Sequence, residues 1–198
     1  MKAPSDEAFN ETEELRRYPK IQDYSRLHAG LPCLAFEKHD GTNLGWRWTN
    51  ESFGPATFRS GRTAREEGGV FEDAERVFEE TLRDRAASVL RGVEEAVFFA
   101  ELRGERSFSG EHREDDPKRL HAIDVWIRGR GFMPPEEFAR AFEVAPVYRG
   151  KLTAKFAEDV RAGRLGVNEG VVCKGGSWGA VWCCKIKTRA WLARGGEP

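Results

Sequence analysis

The chain has 198 residues, enough for one domain with a sizeable core. Its 32 basic and 33 acidic residues leave a net charge of −1, which excludes a global field drawing it to nucleic acid; any polyanion site must be a local basic groove. With no long apolar run, no signal-peptide pattern and four cysteines outside any CxxC pair, the sequence predicts a soluble cytoplasmic protein with reduced thiols and no membrane contact.

In chain order, Ser5 or Asp6 caps a short polar helix that ends before Pro19, and a loop over 18–32 leads into the first strand. Residues 31–35, LPCLA, are apolar enough for a buried strand, and 44–48, LGWRW, alternate like a second. The stretch FEKHDGTN, 36–43, is then a charged hairpin turn with a lysine at its mouth. Residues 55–63 give another short strand and a glycine turn, and 64–69 read as a polar loop. The clearest helix covers 71–90, where Phe71, Ala74, Val77, Phe78, Thr81, Leu82, Arg85 and Val89 follow three-four spacing, and Gly92 stops it.

Residues 94–104 are rich in Val and Phe and suit an inner strand, and 120–127 form another after a polar linker. Short helices follow at 134–142, with proline at the start, and at about 153–162. Residues 168–176 and 180–191 close the chain as a hairpin around a turn at 177–179. Mostly antiparallel strands interrupted by helices make the class α+β.

Several charges sit in or beside these apolar runs: Lys38, Glu101, Glu169, Lys174, Lys185 and Lys187. Burying a single charge is costly, so such residues are paired or face a cleft. Alternate strand residues share a face, so Lys185 and Lys187 point the same way and make a floor for phosphate.

Taken together, these residues resemble the ordered motifs of the covalent nucleotidyltransferases, the ATP-dependent polynucleotide ligases and mRNA-capping enzymes. The resemblance is strongest to the RNA ligase 2 family. The nucleophile motif KxDG is Lys38-His39-Asp40-Gly41, and its RNA ligase 2 form EKxxGTN runs from Glu37 to Asn43. Arg59-Ser60-Gly61 matches the arginine that follows, FFAELRG with Glu101 the glutamate strand, and LHAIDV loosely the next strand. EGxVxK is met by Glu169, Gly170, Val172 and Lys174, and KxK by Lys185 and Lys187; YPKI at 18–21 is similar to the lead-in of these ligases.

The resemblance implies a nucleotidyltransferase domain, an ATP-grasp-like ligase catalytic domain with two mainly antiparallel sheets and flanking helices around an ATP groove. It also implies ATP-dependent joining of 5′-phosphate and 3′-hydroxyl RNA ends through AMP carried on Lys38. The alternatives are a DNA ligase, another AMP or GMP nucleotidyltransferase, or a nucleotide-binding module that seals nothing.

By the same resemblance Glu169, with Asp40 through water, holds Mg²⁺ or Mn²⁺, and Lys174, Lys185 and Lys187 meet the phosphates. Arg59 and Glu101 bind the ribose, Glu37 lies beside adenine, and Asn43 engages the AMP and 5′-phosphate. One departure is the adenine-stacking aromatic, whose place falls to His121 or an aliphatic neighbour. Another is that eleven residues follow Lys187. The expectation is a single domain over 1–198, with 1–30 as N-terminal helix and lead-in, and no oligonucleotide-binding barrel or helical C-terminal domain. Its partners are then RNA ends, with DNA as the other candidate, and a protein that lends nucleic-acid-binding surface.

Overall fold

The computed structural model describes residues 17–58, 60–67, 73–105 and 115–195. The helix expected from Ser5 or Asp6, the first residues of the helix expected at 71, and Arg59 lie outside them. The strands are β1 (Pro32–Lys38), β2 (Thr42–Thr49), β3 (Ser52–Phe58), β4 (Glu95–Arg103), β5 (Arg119–Ile127), β6 (Gly131–Phe132), β7 (Tyr148–Lys151), β8 (Gly170–Gly175) and β9 (Trp182–Lys187). The helices are α1 (Ala64–Glu67), α2 (Asp73–Thr81), α3 (Arg83–Leu90), α4 (Pro135–Ala141), α5 (Ala154–Arg161) and α6 (Arg189–Ala193).

Two antiparallel sheets result, ordered β7-β1-β8-β9 and β3-β2-β4-β5-β6. The five-stranded sheet buries Leu44, Trp46, Trp48, Phe98 and Leu102 on one face, against Phe78 of α2 and Leu90 of α3. Trp46 stacks on Phe78 with ring centroids 4.5 Å apart. Complete burial of each such side chain contributes about 1.5–3 kcal/mol. The four-stranded sheet buries Ala35, Val171, Cys173, Cys184 and Ile186 against Phe156 and Val160 of α5. That leaves the two remaining faces to approach each other, and between them lies the groove.

The structure corrects four local expectations. β1 and β2 do not pair as a hairpin: they belong to different sheets, and the Lys38–Gly41 turn carries the chain from one to the other. Gly41 allows this crossing, because a Cβ there would lie 2.3 Å from the Leu102 carbonyl oxygen. The long helix is two, broken at Leu82, whose φ is −123°. Beside the break the Thr81 hydroxyl donates to the Val77 carbonyl at 2.6 Å, a back-bond that bends helices. Residues 64–67 are a helical turn, closed by a capping box between Thr63 and Glu66. Finally, the C-terminal run leaves the strand at Thr188, whose hydroxyl accepts from Trp191 N–H and starts α6.

Candidate active site

Lys38 ends β1 directly opposite Gly170, the first residue of β8. Gly170 has φ +154°, and a Cβ there would lie 2.1 Å from the Ile186 carbonyl oxygen, so the glycine of EGxVxK lets β9 close in. The neighbouring Glu169 is 2 % exposed. Its Oε1 accepts from Lys38 Nζ at 2.8 Å and from Lys187 Nζ at 3.1 Å. Its Oε2 is buried and has no hydrogen-bond partner among the described residues. Lys187 is held from below as well: its ammonium lies 3.9 Å from the centre of the Trp191 ring on α6. Burial, aided by the charges of Lys38 and Lys185, lowers the Lys187 pKa against the pull of Glu169.

Lys38 and Lys187 line a groove of about 540 Å³, a size ordinary for a small-molecule site. Glu37, Lys38, Asn43, Glu101, Lys174, Lys185 and Lys187 all reach it. Asp40 sits in the turn outside the lining residues, near enough to Glu101 for its charge to raise that carboxyl.

Glu101 and Asn43 face each other across β4 and β2, with Asn43 Nδ2 donating to Glu101 Oε2 at 3.4 Å. Burial pushes the Glu101 carboxyl up to about 7, with Lys38 and Asn43 opposing and Glu169 and Asp40 assisting. The folded chain therefore keeps this proton at pH values where the unfolded chain, with a value of 4.5, has released it. The stabilisation is fully present below pH 4.5 and is lost as pH rises to about 7, a swing of about 3 kcal/mol. Glu101→Gln should flatten urea-unfolding stability over that window and leave the variant more stable than the parent at pH 8. An unchanged pH profile would contradict a buried, protonated Glu101.

Lys174 lines the groove with its charge balanced inside the protein. Its Nζ donates to Asp124 Oδ2 at 2.7 Å and to the Ile123 carbonyl, and it is 4 % exposed. The Tyr18 hydroxyl donates to the same Asp124 oxygen at 2.6 Å, so the lead-in segment is tied to both sheets through one carboxylate. That segment then runs beside β9, where Lys185 N–H donates to the Gln22 carbonyl and Tyr24 N–H to the Lys185 carbonyl.

The two candidates for the base-stacking position are placed differently. His121 stacks on His39 with centroids 3.8 Å apart and stays outside the groove, whereas Ile123 lines it. Ile123 is the extra residue of a one-residue register shift, between Ala122 opposite Ala100 and Asp124 opposite Phe99. Burial first, then neighbouring cations, lowers both imidazoles to about 4. Tyr18, Asp124 and Phe138 are site residues to which the sequence analysis assigns no role, whereas Ile123 is among the aliphatic neighbours of His121 allowed for there. Asp124 carried the best signal, being a charge in as apolar a strand as Glu101.

The two-sheet fold, with Glu37, Lys38, Asn43, Glu101, Lys174, Lys185 and Lys187 on one groove, is shared with solved RNA ligases. Two solved archaeal ATP-dependent RNA ligase forms share it, at TM-scores of 0.63 and 0.61 and 20 % identity, over 91 % and 90 % of this chain and 50 % of theirs. A Naegleria gruberi RNA ligase variant with ATP and Mn matches at TM-score 0.61 and 14 % identity, over 92 % of this chain and 61 % of that one. The chain thus spans half to three-fifths of the length of these structures. No family model and no curated protein matches the sequence. Among the described residues no helix is long and apolar enough to cross a membrane.

Proposed function

We propose that this chain is an ATP-dependent nucleotidyltransferase that joins RNA ends. The observation that carries the reading is Glu169 holding Lys38 and Lys187 together at the mouth of a groove whose far wall presents Glu101. Lys38 Nζ attacks the α-phosphorus of ATP; a phosphoramide bond forms, the bond to the bridging oxygen breaks, and pyrophosphate leaves. A 5′-phosphate oxygen of the RNA then takes the AMP from Lys38, giving an adenylated end and freeing the amine. A 3′-hydroxyl attacks that 5′-phosphorus, the phosphodiester forms and AMP departs. Lys185 and Lys187 face the phosphates from one strand and offset the charge that develops on them. Glu101 and Asn43 orient the ribose, and Glu37 lies at the nucleobase end.

RNA rather than DNA is assigned from the EKxxGTN form and from the RNA ligases that share the fold. The residues also fit a divalent ion. The unpartnered, buried Oε2 of Glu169 offers a carboxylate oxygen, and Mg²⁺ or Mn²⁺ takes few protein ligands beside waters and phosphates. Bound there, the ion would supply neutralisation of phosphate charge.

The test is incubation with labelled ATP, denaturing electrophoresis, and a chase with 5′-phosphorylated RNA. Covalent AMP on the protein that moves to RNA and ends in joined strands is expected. A chain that takes no covalent AMP from ATP lacks the proposed function. Within that assay, Lys185→Ala and Lys187→Ala should each raise the adenylation barrier by about 2–4 kcal/mol. Lys187→Ala should be the slower, because Glu169 then loses one of its two anchors. Near-normal adenylation in both would leave β9 as a solubilising strand.

A further inference from the structure

Beyond Glu101, the groove-side face of β4 and β5 continues outward to a feature the reaction so far does not use. Arg103 and Arg119 are direct cross-strand partners, and Glu101 pairs with His121 two residues further in. Side chains two apart on a strand share a face, so both arginines stand on the face of Glu101, about 6.6 Å beyond it. The intervening Leu102 and Leu120 point into the opposite core. Like charges placed directly opposite across an antiparallel pair destabilise it. Among the described residues neither arginine has an ion-pair partner. Just inward, the stacked imidazoles of His39 and His121 offer no compensating negative charge, and both feel the Arg103 guanidinium. Among the described residues the two guanidinium groups thus have no ion-pair partner, at the end of a groove that already has its own lysines for the phosphates of ATP.

We propose that Arg103 and Arg119 are a binding site for backbone phosphates of the polynucleotide strand whose end is brought to Lys38. The assignment rests on the RNA-joining function proposed above and names the surface that guides the strand into the groove. A guanidinium meets a phosphate through two parallel N–H···O bonds, and two of them side by side fit consecutive phosphates better than one compact anion. Contacts of this kind position the strand without reading its sequence.

The experiment compares the parent chain with Arg103→Ala, Arg119→Ala and the double variant in two assays. Binding of a short 5′-phosphorylated single-stranded RNA is followed as salt is raised, and lysyl-AMP formation as ATP is varied. Each lost phosphate contact should reduce the slope of log K against log salt by about 0.7, so the double variant should lose about 1.4. Lysyl-AMP formation should keep its rate and its ATP dependence, which also shows that the variants fold. An unchanged salt slope overturns the proposal. So does a raised ATP requirement, which would give the arginines to the tail of ATP. Should the parent form no lysyl-AMP, the joining function fails, yet the binding assay still decides whether the arginine pair holds RNA.

Discussion

Lys38→Ala is expected to abolish covalent labelling by ATP outright while the chain stays folded. The side chain is at the mouth of the groove and makes one short contact, with Glu169, so little packing is lost. What disappears is the amine that the proposed function makes the carrier of AMP. Lys187 also contacts Glu169, at 3.1 Å, and its pKa is lowered by burial, which makes it the candidate to substitute. The ring of Trp191 beneath its ammonium argues otherwise, because it anchors that group at the floor. The check is denaturing electrophoresis after exposure to labelled ATP, with bound ATP measured separately. Label that persists on Lys38→Ala would move the nucleophile elsewhere, to another lysine such as Lys187 if acid releases it and to a different residue type if acid does not.

The second large effect concerns stability. Asp124 carries the charge that balances Lys174 and also accepts the Tyr18 hydroxyl. Both members of the ion pair are at most 6 % exposed at their side chains. Removing one partner of a buried pair leaves the other charge without compensation and costs about 3–5 kcal/mol. Asp124→Ala should therefore lose about that much in urea unfolding. Combining it with Lys174→Met, which removes the stranded charge and keeps the volume, should recover most of the loss. A cost below about 1 kcal/mol for Asp124→Ala would mean that Lys174 finds water easily, which its burial denies.

The two predictions draw on different parts of what the sequence shows. Lys38, Glu101, Glu169, Lys185 and Lys187 were legible because a charge within an apolar strand needs a partner or a cleft, and strand alternation says which charges share a face. The structure brings Lys38, Glu101, Lys185 and Lys187 to one groove, with Glu169 buried behind Lys38 and Lys187. The α+β class followed from strand and helix lengths in the same local way. What local pattern cannot carry is partnership across the chain. Tyr18 and Asp124 are 106 residues apart, and nothing near either announces the other. The turn at Lys38 looked like a hairpin because hairpins and sheet-to-sheet crossings use the same short glycine-bearing segments. Only the packing of Gly41 against Leu102 distinguishes them. Nor does local pattern announce the one-residue slip in β5 at Ile123, which lines the groove while His121 does not.

The strand that bears Lys38 has no neighbour from its own half of the chain. β1 is bonded on one edge to β7 and on the other to β8, both far downstream. As the chain is synthesised, Cys33, Leu34, Ala35 and Phe36 must therefore wait with both hydrogen-bonding edges open until Tyr148 and then Gly170 have emerged. Such late, non-local pairing slows folding, and an apolar strand open on both edges is a template for association with other chains. Expression at lowered temperature, or with a chaperone that shields extended apolar segments, should raise the soluble yield of this protein more than it would for a fold whose nucleophile sits in an early hairpin.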